Sequence, residues 1–136
     1  MILCDTSVLF CLVDRTQNQH QAFRQTVTRL SETLITTWAC LTETMYLAGG
    51  VGGWSLQKQV VRYLLDDLVM IYDIRREDYD RLFALMEQYQ DRPMDLADAT
   101  LVLTAERTAE NRILTLDSDF LFYRIAEQQS FEVIQV

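Results

Sequence analysis

The sequence predicts an α/β fold, a mainly parallel central sheet covered by helices on both faces. Three observations carry that expectation. Short apolar, β-branched or aromatic runs recur along the chain. Longer stretches of helical spacing separate them, and this alternation is the signature of parallel strands joined by right-handed crossovers. Finally, no repeat, low-complexity tract or Pro/Ser-rich linker divides the 136 residues, whose only proline is Pro93, so one domain spanning residues 1–136 is expected.

Taken in order, MILC at 1–4 is the first strand candidate, followed at once by Asp5. Helical spacing covers 18–32, TLITT at 33–37 reads as a strand, and 38–48 is again helical. The segment GGVGG at 49–53 is the one strong helix breaker. No strand precedes it and it lacks the GK[ST] ending of a phosphate-binding loop, so it is expected to be a flexible turn between two helices. Residues 54–66 form the second of these, and LVMIYDI at 68–74 the next strand. Helices over 76–90 and 95–109, then strands at RILTL 112–116 and FEVIQV 131–136, complete the pattern. Ligand chemistry in such a fold sits beyond the carboxyl ends of the strands.

Composition narrows the class. Hydrophobic residues make up 49% and charged residues 24%, which fits a globular domain and argues against disorder. The apolar runs are too short to cross a bilayer, so no membrane association is expected. The amino end lacks a basic start and a small-residue cleavage signature, which makes a cytoplasmic location the expectation. Cys4, Cys11 and Cys40 are odd in number and lack CxxC spacing, as buried reduced thiols would. The net charge of −8 works against polyanion binding, although 11 of the 12 basic residues are arginine, the side chain best shaped for phosphate. Arg75 and Arg76 form one local basic pair, which either offers a positive surface or begins the helix on its wet side.

Four carboxylates sit in places that solubility does not explain. Asp5 emerges from the end of MILC, where it is either a helix N-cap or a ligand. Ser7 has the same two readings. Glu43 has Ala39, Cys40, Tyr46 and Leu47 at helical spacing, with Thr42 and Thr44 marking the polar side, so its charge is expected to face a partner, a metal or a cleft. Asp98 repeats the pattern with Leu101, Val102 and Ala105, and Asp95 lies one turn earlier as a cap or a further ligand. Asp117 follows RILTL as Asp5 follows MILC, and Asp119 comes two residues later. Clustered carboxylates repel until a cation neutralises them. Oxygen-only donors select Mg²⁺ or Mn²⁺, whereas zinc would recruit His or Cys, and the lone His20 reads as structural. Such a centre hydrolyses phosphodiesters by activating water. The chain offers no GxSxG elbow, and its single histidine gives little support for a Ser or Cys nucleophile.

Together LCDTSVL, LTET, MDLADATLVLTAE and ILTLDSDF resemble the PIN domains, especially the VapC-like toxins, over essentially the whole chain. The resemblance implies a three-layer α/β/α sandwich and Mg²⁺- or Mn²⁺-dependent cleavage of RNA, often by a homodimer. It also implies an antitoxin partner for the toxin members. Carried onto this chain, Asp5 and Asp98 would be the principal metal ligands, with Glu43 and Asp117 completing the pocket and Ser7, Asp95 and Asp119 orienting or extending it. Two alternatives stand beside a metal-dependent endoribonuclease. One is a catalytically weak PIN-like module that binds RNA or protein, and the other is a phosphatase or DNA nuclease built on the same carboxylates.

Overall fold

A computed structural model describes residues 1–136. Its core is a five-stranded sheet in the order β3-β2-β1-β4-β7, with every neighbouring pair parallel. The strands are β1 (Ile2–Cys4), β2 (Leu34–Thr37), β3 (Val69–Tyr72), β4 (Arg112–Leu114) and β7 (Glu132–Val133). A separate antiparallel pair joins β5 (Arg124–Ile125) to β6 (Gln129–Ser130). The helices are α1 (Thr6–Val13), α2 (His20–Leu30), α3 (Trp38–Leu65), α4 (Tyr79–Gln88) and α5 (Leu96–Thr108).

Strand alternation sends neighbouring residues into opposite layers. Leu3, Ile35 and Ile113 pack with Leu82 and Leu85 of α4 and Leu101 and Val102 of α5. Their neighbours Ile2, Leu34 and Leu114 pack with Val8 and Leu9 of α1 and Phe23 of α2. Two cores therefore lie on the two faces of one sheet, the expected α/β/α sandwich. No helix is long and apolar enough to cross a membrane. The three cysteines are free and buried, and His20 is buried with Nδ1 2.7 Å from the Cys11 carbonyl oxygen.

Several elements depart from their expected bounds for identifiable reasons. Six of the eight residues of α1 are buried, so TSVLFCLV has no polar face and no amphipathic period to reveal it. The stretch 76–90 divides into a 3-10 turn at Arg76–Asp78 and α4, because buried Asp78 accepts from the Arg75 backbone N–H and from Arg107. Arg75 and Arg76 are exposed at that turn, on the wet side. FEVIQV pairs over only two residues at the sheet edge.

The glycine segment is not a loop. The helix continues through Gly49, Gly50 and Gly52 and breaks only at Gly53, whose φ of 63° and ψ of −155° suit glycine alone. A Cβ on Gly52 would lie 2.8 Å from that of Leu56, so the missing side chain lets the second half fold back closely.

Candidate active site

Each acidic residue is placed by the way a strand ends and a helix begins. Asp5 follows β1 and caps α1, with Oδ1 accepting from the Thr6 N–H at 2.7 Å. Its Oδ2 accepts from the Thr115 hydroxyl at 2.8 Å, and that hydroxyl oxygen in turn accepts from the Asp117 N–H at 2.9 Å. Thr115 thus fastens the end of β1 to the end of β4. Ser7 adds a second tie, its Oγ accepting from the Leu116 N–H at 3.1 Å. Asp95 caps α5 by accepting from the Asp98 N–H at 2.7 Å, and Asp117 caps the 3-10 turn Ser118–Leu121 by accepting from the Asp119 N–H at 2.9 Å. The capping reading of Asp5, Asp95 and Asp117 is thus met; Asp5 accepts on both of its oxygens, whereas Asp95 and Asp117 cap through Oδ1 alone.

The carboxylates of Asp98, Asp117 and Asp119 each offer an oxygen within 4.8 Å of the other two. Asp5 and Glu43 stand outside that tightest set. Asp5 nevertheless faces it, for its charge and those of Asp95 and Asp117 raise the Asp98 pKa. Asp119, read from sequence only as a secondary member, is in the inner triad, because the tight turn after Asp117 returns its side chain to the same point.

The faces of α3 around Glu43 divide differently from their sequence reading. Tyr46 is 82% and Leu47 40% exposed, Thr44 is fully buried, and Glu43 itself is exposed. The apolar residues around it divide, Ala39 and Cys40 one turn before packing into the core and Tyr46 and Leu47 one turn beyond facing solvent, and the buried Thr44 hydroxyl is satisfied by the Cys40 carbonyl at 2.8 Å. Partial burial and then the charge of Asp95 raise the Glu43 pKa, which sets this carboxylate on the rim of the acidic pocket.

Two side chains that hold the acidic residues in place carried no sequence signal. Tyr123, fully buried and edge-on to Phe120 and Tyr89, donates its hydroxyl to Asp98 Oδ2 at 3.0 Å. In DFLFYR it looks like one more core aromatic. Thr115 in RILTL looks like an ordinary strand threonine, and only the parallel register that sets β4 beside β1 brings it to Asp5.

The electrostatics are those of a concentrated negative charge. Burial, then the charges of Asp95, Asp5 and Asp117, push Asp98 up to about 7, with the Tyr123 hydrogen bond opposing. Burial chiefly raises Asp5 to about 6 against the hydrogen bonds from Thr115 and Thr6. No arginine, lysine or histidine is among the five strongest influences on either residue. An oxygen-only donor set without a cationic side chain fits a hard divalent ion.

Comparison with known proteins places the fold. The PIN domain family matches residues 2–128. The chain belongs to that family. Among curated proteins, Ribonuclease VapC26 of Mycobacterium tuberculosis is 25% identical over 116 residues, covering 85% of this chain and 86% of that protein. Among solved structures, M. tuberculosis VapC20, described as a toxin that cleaves the sarcin-ricin loop, superimposes with a TM-score of 0.76 at 16% identity. That match covers 88% of this chain and 92% of VapC20, and it establishes the PIN fold.

Proposed function

We propose that this PIN-domain chain is a metal-dependent endoribonuclease that hydrolyses RNA phosphodiester bonds, and that it is the toxin of a type II toxin–antitoxin pair. The observation that carries this reading is the convergence of Asp98, Asp117 and Asp119 beside Asp5, beyond the carboxyl ends of parallel strands. The family match and the ribonuclease and toxin relatives support RNA over other phosphate esters and support an antitoxin as partner.

Asp5, Asp98, Asp117 and Asp119 would hold Mg²⁺ or Mn²⁺, with Glu43 at the rim and Asp95 adding negative charge one helical turn away. A bound ion of this kind supplies a water of lowered pKa and stabilises charge on the leaving oxygen. The chain's own part is to keep its carboxylates ionised and aimed. Tyr123 holds Asp98, Thr115 holds Asp5 while receiving the Asp117 N–H, and Ser7 anchors the loop between them. The single domain over 1–136 would work as a homodimer, for which exposed apolar side chains along α3 such as Trp38 and Tyr46 are available.

The test is incubation of labelled RNA and of matched single-stranded DNA in Mn²⁺, Mg²⁺ and EDTA, with Asp98→Asn run in parallel. Discrete RNA fragments that need metal and disappear with the substitution are expected. Equal cutting in EDTA or by Asp98→Asn would overturn the assignment, and equal cutting of the DNA would overturn the substrate.

A further inference from the structure

An enzyme that brings a phosphate to six acidic side chains must gain its RNA affinity elsewhere on its surface. The pairing of its cations shows where. Arg62, Arg81, Arg107 and Arg112 are committed to Asp66, Glu106, Asp78 and the Glu32–Glu110 pair. Arg124 is spent on three backbone carbonyls, Arg92 lies over the Phe122 ring, and Arg75 and Arg76 are flanked in sequence by Asp73, Glu77 and Asp80 without pairing to them.

Three arginines differ. Arg15, Arg24 and Arg29 share exposure and the lack of a salt bridge with Lys58, Arg75 and Arg76, and differ in converging, three together, on one open depression that Gln21, Gln25 and Thr28 also line. No acidic residue and no apolar residue borders it. The acids nearest in sequence are already occupied. Asp14 accepts from Thr16 and Gln17, and Glu32 is held by Arg112 and the amino terminus. His20 also borders the depression and turns Nδ1 to the Cys11 carbonyl.

Arg15 follows the far end of α1, whose first residue follows Asp5, so about 12 Å of helix separates the depression from the carboxylates. That exceeds the roughly 8 Å screening length at physiological salt, and the acidic pocket does not cancel the positive potential there. The same span equals about four stacked nucleotides. Arginine and amide donors around an open depression suit phosphate oxygens, and the lack of an apolar floor leaves no platform for a stacked base or an apolar anchor.

We propose that the Arg15–Arg24–Arg29 depression is a second RNA contact, a sequence-independent phosphate clamp that holds the substrate backbone away from the cleavage centre. This rests on the ribonuclease reading for its choice of polyanion. The clamp supplies the neutralisation that a chain of net charge −8 lacks at its active site.

Fluorescence anisotropy of a labelled RNA of about thirty nucleotides, titrated with wild-type protein in EDTA over a range of salt, tests it without requiring turnover. Replacing all three arginines with glutamine should weaken binding at least about tenfold and reduce the slope of log K against log salt by about 2, near 0.7 per phosphate on a single strand. Each single substitution should remove about a third of that slope. Arg62→Gln, which alters net charge elsewhere, should leave affinity within about twofold. Affinity and slope unchanged in the triple variant, or an equal loss with Arg62→Gln, would overturn the clamp. A polyglutamate peptide bound as tightly as RNA and lost in the triple variant would reassign the depression to an acidic protein. Absence of cleavage by wild type in the metal assay would instead count against the nuclease reading and leave this binding result standing.

Discussion

The start of α5 and the first half of α3 carry the same sequence signature and have opposite surroundings. Each places one carboxylate among apolar residues at helical spacing. On α5 the spacing describes a core: Leu101, Val102 and Ala105 are fully buried and Asp98 is 7% exposed. On α3 the residues one turn beyond Glu43 face solvent, and the side turned to the core carries Thr44. Apolar spacing alone does not say whether a face packs on the protein's own sheet or stands open to solvent. α5 has a sheet on one side and α4 and the Tyr123 segment on the other, so its charge is enclosed. The first half of α3 has one free side.

That contrast can be broken by substitution. Asp98→Asn should cost at least about 100-fold in RNA cleavage, equivalent to roughly 2.7 kcal/mol in the barrier. It should also leave the melting temperature at pH 7.5 unchanged or higher, because it removes a charge that burial opposes while the Tyr123 hydroxyl keeps an oxygen acceptor. A large loss of stability instead would show that Asp98 is structural. Next in size, Tyr123→Phe should reduce cleavage roughly 10- to 100-fold, as loss of a side chain that orients a ligand does. It should also move the acidic limb of the pH–rate profile to higher pH, since the hydrogen bond it removes lowers the Asp98 pKa. A fall in rate with an unmoved profile would reduce Tyr123 to a packing role.

Glu43→Gln should cost less than about tenfold in rate, since one exposed rim carboxylate has weaker leverage than a buried one. A loss equal to that of Asp98→Asn would place Glu43 in the inner site and erase the distinction. On the outer face of α3, Tyr46→Glu should leave the melting curve almost unchanged while shifting a homodimer toward monomer in sedimentation, and an unaltered dimer would remove that face from the interface.

The smallest effect is a stability slope in metal-free protein. Asp98 and Asp5 are raised to about 7 and about 6, so between pH 4 and 7 the folded state holds protons that the unfolded chain has released. Stability therefore falls as pH rises through that window. Groups held low by partners, such as Asp78 and Glu106, act oppositely and lose their contribution on acidification below about pH 4. Melting temperature should drop from pH 5 to 7.5 by a few degrees, and Mn²⁺ should recover more at the higher pH. Asp98→Asn should flatten much of the slope, and a slope that persists unchanged would place its origin outside the pocket.

The sequence by itself determined the layered α/β fold, because strand and helix periods are local and their alternation admits few topologies. It also determined which carboxylates end up at one edge of the sheet, since Asp5 and Asp117 follow strands directly and a parallel sheet brings all such ends together. Tertiary structure alone decided how those carboxylates divide. Whether Asp119 or Asp5 completes the tight triad depends on a turn of four residues and on the Thr115 hydroxyl, and the β1–β4 register sets its reach. Tyr123 and Thr44 were illegible for the same reason. A tyrosine in an aromatic run and a threonine on a helix have no fixed meaning until the packed neighbours show whether the hydroxyl meets a carboxylate, a carbonyl or water.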